Sequence, residues 1–144
     1  MNDRVYNVLE RKGHNVDTVP FDTTVFAAVE HMNERHIGAV LVADREGPVG
    51  IFTERDVLMR VVARGLDPKT TRVSEVMTRN PISIRPDVTI TEAMMVITER
   101  RCRHLPVIDD GGLCGLISIG DLTSWMVQDQ QRTIDDLHDY IQRT

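Results

Sequence analysis

Apolar residues recur at Val25, Ala28, Val29 and Met32, the i, i+3, i+4, i+7 spacing of one buried helical face. Ile90, Ala93, Met94 and Ile97 repeat that spacing 65 residues later. Each stripe is preceded by a short extended run, residues 17–20 or 82–85, and a turn at Asp22 or Pro86-Asp87. Each is followed by two β-branched runs around a polar turn. These are residues 39–43 and 49–53 around Asp44-Arg45-Glu46-Gly47, and residues 105–108 and 113–118 around Asp109-Asp110-Gly111-Gly112. A second helical stripe closes each pattern, with Val57, Leu58, Val61 and Val62 in the first and Leu122, Trp125 and Met126 in the second. Thr89 and Glu92 have the spacing of a capping box. The order in each copy is β-α-β-β-α.

The two patterns are one repeat. Residues 22–57 align with 87–122 without a gap and share ten identities: Asp22/Asp87, Thr24/Thr89, Ala28/Ala93, Glu34/Glu99, Arg35/Arg100, Val42/Val107, Asp44/Asp109, Gly47/Gly112, Gly50/Gly115 and Asp56/Asp121. Neither copy is large enough to close a good core alone. The expected fold is therefore α+β, two β-α-β-β-α repeats packed through their sheets with pseudo-two-fold symmetry. Matching loops then meet, and such interfaces often hold small ligands. The units are expected at residues 8–65 and 73–130, with 131–144 a C-terminal helical extension. Val5, Val8 and Leu9 predict a short helix over residues 4–12, and Ile134, Leu137 and Ile141 an apolar stripe along the extension.

Composition narrows the function. The chain has 144 residues, 41% hydrophobic and 27% charged, with a net charge of −5. That acidic balance disfavours general nucleic-acid binding, which needs clustered Lys and Arg. No apolar run approaches the length of a membrane span, and the N-terminus lacks a signal-peptide core, so a cytoplasmic location is expected. Cys102 and Cys114 read as small buried residues, and no zinc spacing is present.

The chemistry lies where each third strand meets the following helix. The first copy reads Gly50-Ile51-Phe52-Thr53-Glu54-Arg55-Asp56 and the second Gly115-Leu116-Ile117-Ser118-Ile119-Gly120-Asp121. A carboxylate can accept two hydrogen bonds from a ribose diol. The hydroxyl and the free N–H groups of the helix start can donate to phosphate. The same spacing is also a helix cap, and one residue can serve both purposes. In the second copy Arg103 and His104 precede the strand and could meet a phosphate. Their counterparts in the first are Gly38 and Ala39, where Arg55 is the cationic candidate.

The doubled unit, the Gly-x-x-Thr/Ser-x-x-Asp motif and Arg103-His104-Leu105-Pro106-Val107-Ile108-Asp109 resemble CBS domains, named for cystathionine β-synthase, over roughly residues 8–130. A tandem pair of these is a Bateman module. The resemblance implies binding of AMP, ADP or ATP between the two domains, with NAD(H) or S-adenosylmethionine as alternatives. It assigns ribose to Asp56 and Asp121, their hydroxyl partners to Thr53 and Ser118, and phosphate to Arg103 and His104. It assigns adenine contacts to Thr18, Val19, Ile37, Ser83, Ile84 and Cys102. It further implies a disc-shaped homodimer and an unidentified regulated protein. The five histidines are scattered and no nucleophile-base-acid order is visible, so a non-catalytic module that needs no cofactor or metal is expected. A purely structural dimerisation module is the rival.

Overall fold

The computed structural model describes residues 3–143, which fall into two compact units. One spans residues 15–82. The other joins the N-terminal stretch, through residue 14, to residues 83 onward.

In the first unit, β1 (Thr18–Pro20) pairs parallel with β2 (Ala39–Asp44). Strand β2 pairs antiparallel with β3 (Gly47–Thr53), which pairs antiparallel with β4 (Thr78–Arg79). Helix α2 (Val25–Arg35) begins at Thr24, whose Oγ1 accepts a hydrogen bond from the Ala27 N–H at 3.1 Å. After β3 come one turn of helix, α3 (Glu54–Asp56), and a π-helical segment, Val57–Val62. The short helix α4 (Val73–Val76) follows.

The second unit repeats this frame. Helix α5 (Ile90–Arg100) is capped by Thr89, and β5 (His104–Asp109) and β6 (Gly112–Ser118) form a hairpin that leads into α6 (Ile119–Arg143). The correspondence is residue by residue. Ala39 opposes Thr53 as His104 opposes Ser118, and the hairpin bulge after Val42 recurs after Val107. Both first helices end on a left-handed residue, His36 (φ 54°) and Arg101 (φ 53°). The cores match as well: Val19, Val25, Ala28, Met32, Val40, Val42 and Phe52 correspond to Ile84, Ile90, Ala93, Ile97, Leu105, Val107 and Ile117.

The N-terminal helix α1 (Val5–Lys12) completes the second unit as the stretch around α4 completes the first. The Val5 and Tyr6 N–H groups donate to the Val88 and Pro86 carbonyls, and the Val73 and Ser74 N–H groups donate to Thr23 and Phe21. The Ile90 N–H reaches the Asp3 carbonyl as the Val25 N–H reaches Thr71. Val5, Val8 and Leu9 are buried, as are Val73, Val76 and Met77. A second repeat, Arg-Val-x-x-Val-Leu/Met, therefore lies at an offset of 68 residues, Arg4 to Leu9 against Arg72 to Met77.

Three expectations change. Residues 82–85 form no strand, only a bridge from Ile84 to Val107. In the first copy the flanking rungs are Leu41 N–H to Asp17 and Phe21 N–H to Ala43. Their counterparts are Pro106 and Pro86, which have no N–H to donate. The Thr89 cap is one-sided: its Oγ1 accepts from the Glu92 N–H at 3.1 Å, but the Glu92 side chain makes no return bond among the described residues. Leu58 and Val62 are not buried; in the wider π-helical turn they are 62% and 65% exposed while Val61 is buried. In the distal part of α6, Ile134, Leu137 and Ile141 are all exposed.

Candidate functional site

The start of α3 and the start of α6 carry the same cluster. The Thr53 N–H donates to Asp56 Oδ2 at 2.9 Å, and the Asp56 N–H donates back to Thr53 Oγ1 at 3.3 Å. The Ser118 N–H donates to Asp121 Oδ2 at 2.8 Å, and the Asp121 N–H to Ser118 Oγ at 3.1 Å. Both acids thus serve as reciprocal caps. The preceding loop is tied to the same corner. The Glu54 N–H donates to the Gly38 carbonyl at 3.0 Å, and the Ile119 N–H to the Arg103 carbonyl at 2.8 Å. Arg103, His104, Ser118 and Asp121 are therefore gathered at one helix start by backbone bonds and strand register. In the first copy the same bonds gather Gly38, Ala39, Thr53 and Asp56, with exposed Arg55 on the first turn.

Electrostatics separate the two corners. Asp56 is 8% exposed, and Arg60 Nε lies 3.6 Å from its Oδ1. Arg60 Nη1 also donates to the Val76 and Met77 carbonyls at 3.1 and 3.0 Å. At the second corner the position of Arg60 is taken by Trp125, and the cation comes from α1: Lys12 Nζ lies 2.6 Å from Asp121 Oδ2 and 2.7 Å from the Leu116 carbonyl. Burial pushes the Asp121 carboxyl up, but hydrogen bonds from Lys12 and Ser118 and the Lys12 charge outweigh it. The net effect holds Asp121 below the usual carboxylate range.

The adenine candidates divide by exposure. Thr18 and Ser83 are exposed, and Ile37 and Cys102 are half-buried. Val19 and Ile84 are buried in the two cores. Burial raises the Cys102 thiol, so it stays protonated at neutral pH. A depression of about 380 Å³ in the first unit is lined by two of the adenine candidates, Thr18 and Val19, together with Phe21, Ala43, Asp44 and Arg45, at the far end of β2 from Thr53. It is open to solvent, whereas the Thr53–Asp56 corner gathers a carboxylate, a hydroxyl and helix-start N–H groups. Among the described residues no group of three or more His, Cys, Asp or Glu side chains is placed to hold a metal. No helix there is long and apolar enough to cross a membrane.

Two residues of these corners escaped the sequence reading. Arg60 follows Asp56 by one helical turn, a spacing that signals an ion pair. Lys12 is 109 residues from Asp121 and carries no local signal.

Comparison with known proteins agrees with the repeat. The CBS domain model matches residues 9–63 and 73–128, and the chain belongs to the CBS-domain family. It is a pair of CBS domains. It is 33% identical over 147 residues to the mitochondrial CBS domain-containing protein CBSX3 of Arabidopsis thaliana, covering 96% of this chain and 71% of that one. A Burkholderia ambifaria protein with CBS domains has a similar structure, with a TM-score of 0.84 and 42% identity over 88% of this chain and 96% of that one. A hexameric CBS-CP12 protein from bloom-forming cyanobacteria superposes with a TM-score of 0.76 at 32% identity, covering 85% of this chain and 67% of that one. The chain spans 18% to 22% of the length of further Arabidopsis relatives.

Proposed function

We propose that this CBS pair is a non-catalytic regulatory module that binds an adenine nucleotide, AMP, ADP or ATP, at its Thr/Ser-x-x-Asp corners. The observation that carries the reading is the duplication of the corner itself: a carboxylate, a hydroxyl and helix-start N–H groups brought together twice in identical register. Asp56 and Asp121 accept the ribose hydroxyls, and Thr53 and Ser118 stand beside them. Arg103 adds positive charge and His104 a ring hydrogen-bonding group for phosphate at the second corner, and Arg55 adds charge at the first. Thr18, Ser83, Ile37 and Cys102 border the base. A homodimer is part of the proposal, supported by exposed Leu58, Met59 and Val62.

Calorimetric titration of AMP and ATP into the parent, Asp121→Ala and Asp56→Ala proteins tests the assignment. A hydrogen bond to a charged group contributes about 1.5–3 kcal/mol, so loss of the Asp121 carboxylate weakens binding at the second corner about tenfold or more. Asp56→Ala affects chiefly the first corner. Unchanged binding of both nucleotides by Asp121→Ala overturns the assignment at the second corner. Mass spectrometry of small molecules released on denaturation distinguishes these nucleotides from NAD(H) and S-adenosylmethionine. If no adenosyl compound is retained and none binds, the purely structural reading stands.

A further inference from the structure

The second corner contains a cation that the motif does not supply. Lys12 is the last residue of α1, and its side chain leaves the helix to reach Asp121. The helix is fixed independently of that contact. The Arg11 guanidinium lies 4.3 Å from the centroid of the Trp125 ring, Trp125 Nε1 donates to Asp3 Oδ2 at 2.8 Å, and Arg11 hydrogen-bonds Gln128. The end of α1 is therefore placed by Trp125 and Gln128, and Lys12 is presented to the corner rather than holding the helix there.

The ammonium takes Asp121 Oδ2, the oxygen that already accepts from the Ser118 N–H, and is steadied by the Leu116 carbonyl. A vicinal diol that bridges both carboxylate oxygens needs that same acceptor. A diol and Lys12 in its present place therefore compete. A ligand carrying phosphate brings an anion for the displaced ammonium, and a neutral nucleoside does not. At the first corner the cation on Asp56 is Arg60, tied to two backbone carbonyls, and it approaches the opposite oxygen, Oδ1.

We propose that Lys12 is a specificity-determining residue of the second corner: it competes with the sugar of a neutral nucleoside for Asp121 and favours nucleotides whose phosphate takes up its charge. This rests on the nucleotide reading above. It gives Lys12 opposite effects on two ligands that share the same sugar and base.

The experiment titrates adenosine and ATP into the parent, Lys12→Met and Lys12→Arg proteins. A half-exposed ion pair contributes about 0.2–1 kcal/mol, so Lys12→Met tightens adenosine binding by up to about fivefold. The same variant weakens ATP binding by a factor of the same order, and Lys12→Arg restores the parental preference. A change of the same sign for both ligands, or none, overturns the selectivity role while leaving the nucleotide site standing. If neither ligand binds any of the three proteins, the nucleotide reading falls and this inference falls with it. Parental unfolding temperature in Lys12→Arg separates a loss of charge from a loss of fold.

Discussion

Arg60 and Trp125 occupy equivalent positions, 65 residues apart, one helical turn after the corner aspartates. Arg60 faces Asp56 and ties two carbonyls at the end of α4 to the corner. Trp125 faces away from Asp121 chemically: its N–H bonds Asp3 and its ring carries Arg11. Each copy thus links its helix start to the segment that completes its core, one through a guanidinium and one through an indole.

Arg60→Met should therefore destabilise the first unit. It removes the cation from a carboxylate that is 8% exposed and leaves the Val76 and Met77 carbonyls short of a donor. The guanidinium is partly in water, so the expected loss is about 1–2 kcal/mol, below the full cost of an orphaned buried charge. Urea unfolding measures it. A loss below a few tenths would show that water replaces the guanidinium.

The paired glycines separate the two copies in a different way. A Cβ on Gly50 would lie 2.6 Å from the Met77 sulfur and 2.7 Å from the Thr78 carbonyl oxygen, which belongs to β4 and cannot swing aside. A Cβ on Gly115 would meet Leu9 Cδ2 at 2.7 Å, the end of a side chain that can rotate. Gly50→Ala should cost about 1–3 kcal/mol, as overpacking does, and Gly115→Ala less. Thermal unfolding of the two variants gives the order. Equal losses would mean that Leu9, fully buried, is held as firmly as backbone.

Sequence pattern revealed the repeat because the constraints on it are local. Helix stripes, hairpin turns and the Thr/Ser-x-x-Asp caps all lie within a few residues of one another, so they survive in both copies. The pairing partner of each copy does not. Residues 3–9 and 71–77 play one role at an offset of 68, yet one segment precedes the whole repeat and the other follows its first copy. An ungapped comparison at 65 passes over them. The missing strand around Ile84 was legible in principle, since Pro86 and Pro106 remove its outer rungs. Recognising that requires knowing which residues oppose each other. Lys12 was invisible for the same reason: its meaning comes from Asp121, and only the fold brings them together.

Leu58, Met59 and Val62 form an exposed apolar cluster on the π-helical segment, at 62%, 59% and 65% exposure. If the proposed homodimer uses it, Leu58→Glu should shift the mass in light scattering toward monomer at micromolar concentration. The intramolecular cost should be small, because Leu58 is largely in water already. A parental mass for this variant would move the interface elsewhere.

The Lys12–Asp121 pair also predicts a pH dependence. Asp121 is held below its ordinary value in the folded chain. The unfolded chain titrates near the ordinary aspartate value, about 3.9, so it binds the proton more readily. Such a group contributes stability that is fully present above the unfolded value and is lost as pH falls through the folded one. Lys12→Met removes part of what holds Asp121 down. The variant should therefore be less stable than the parent near neutral pH, and the gap should shrink as pH falls below about 4. Other carboxylates titrate in the same range and contribute alike to both proteins, so the readout is the difference between the two. Paired unfolding measurements at neutral pH and in acid, at low ionic strength, give that difference. A gap that does not change with pH would show that the Lys12 hydrogen bond to the Leu116 carbonyl, not its charge beside Asp121, is what stabilises the corner.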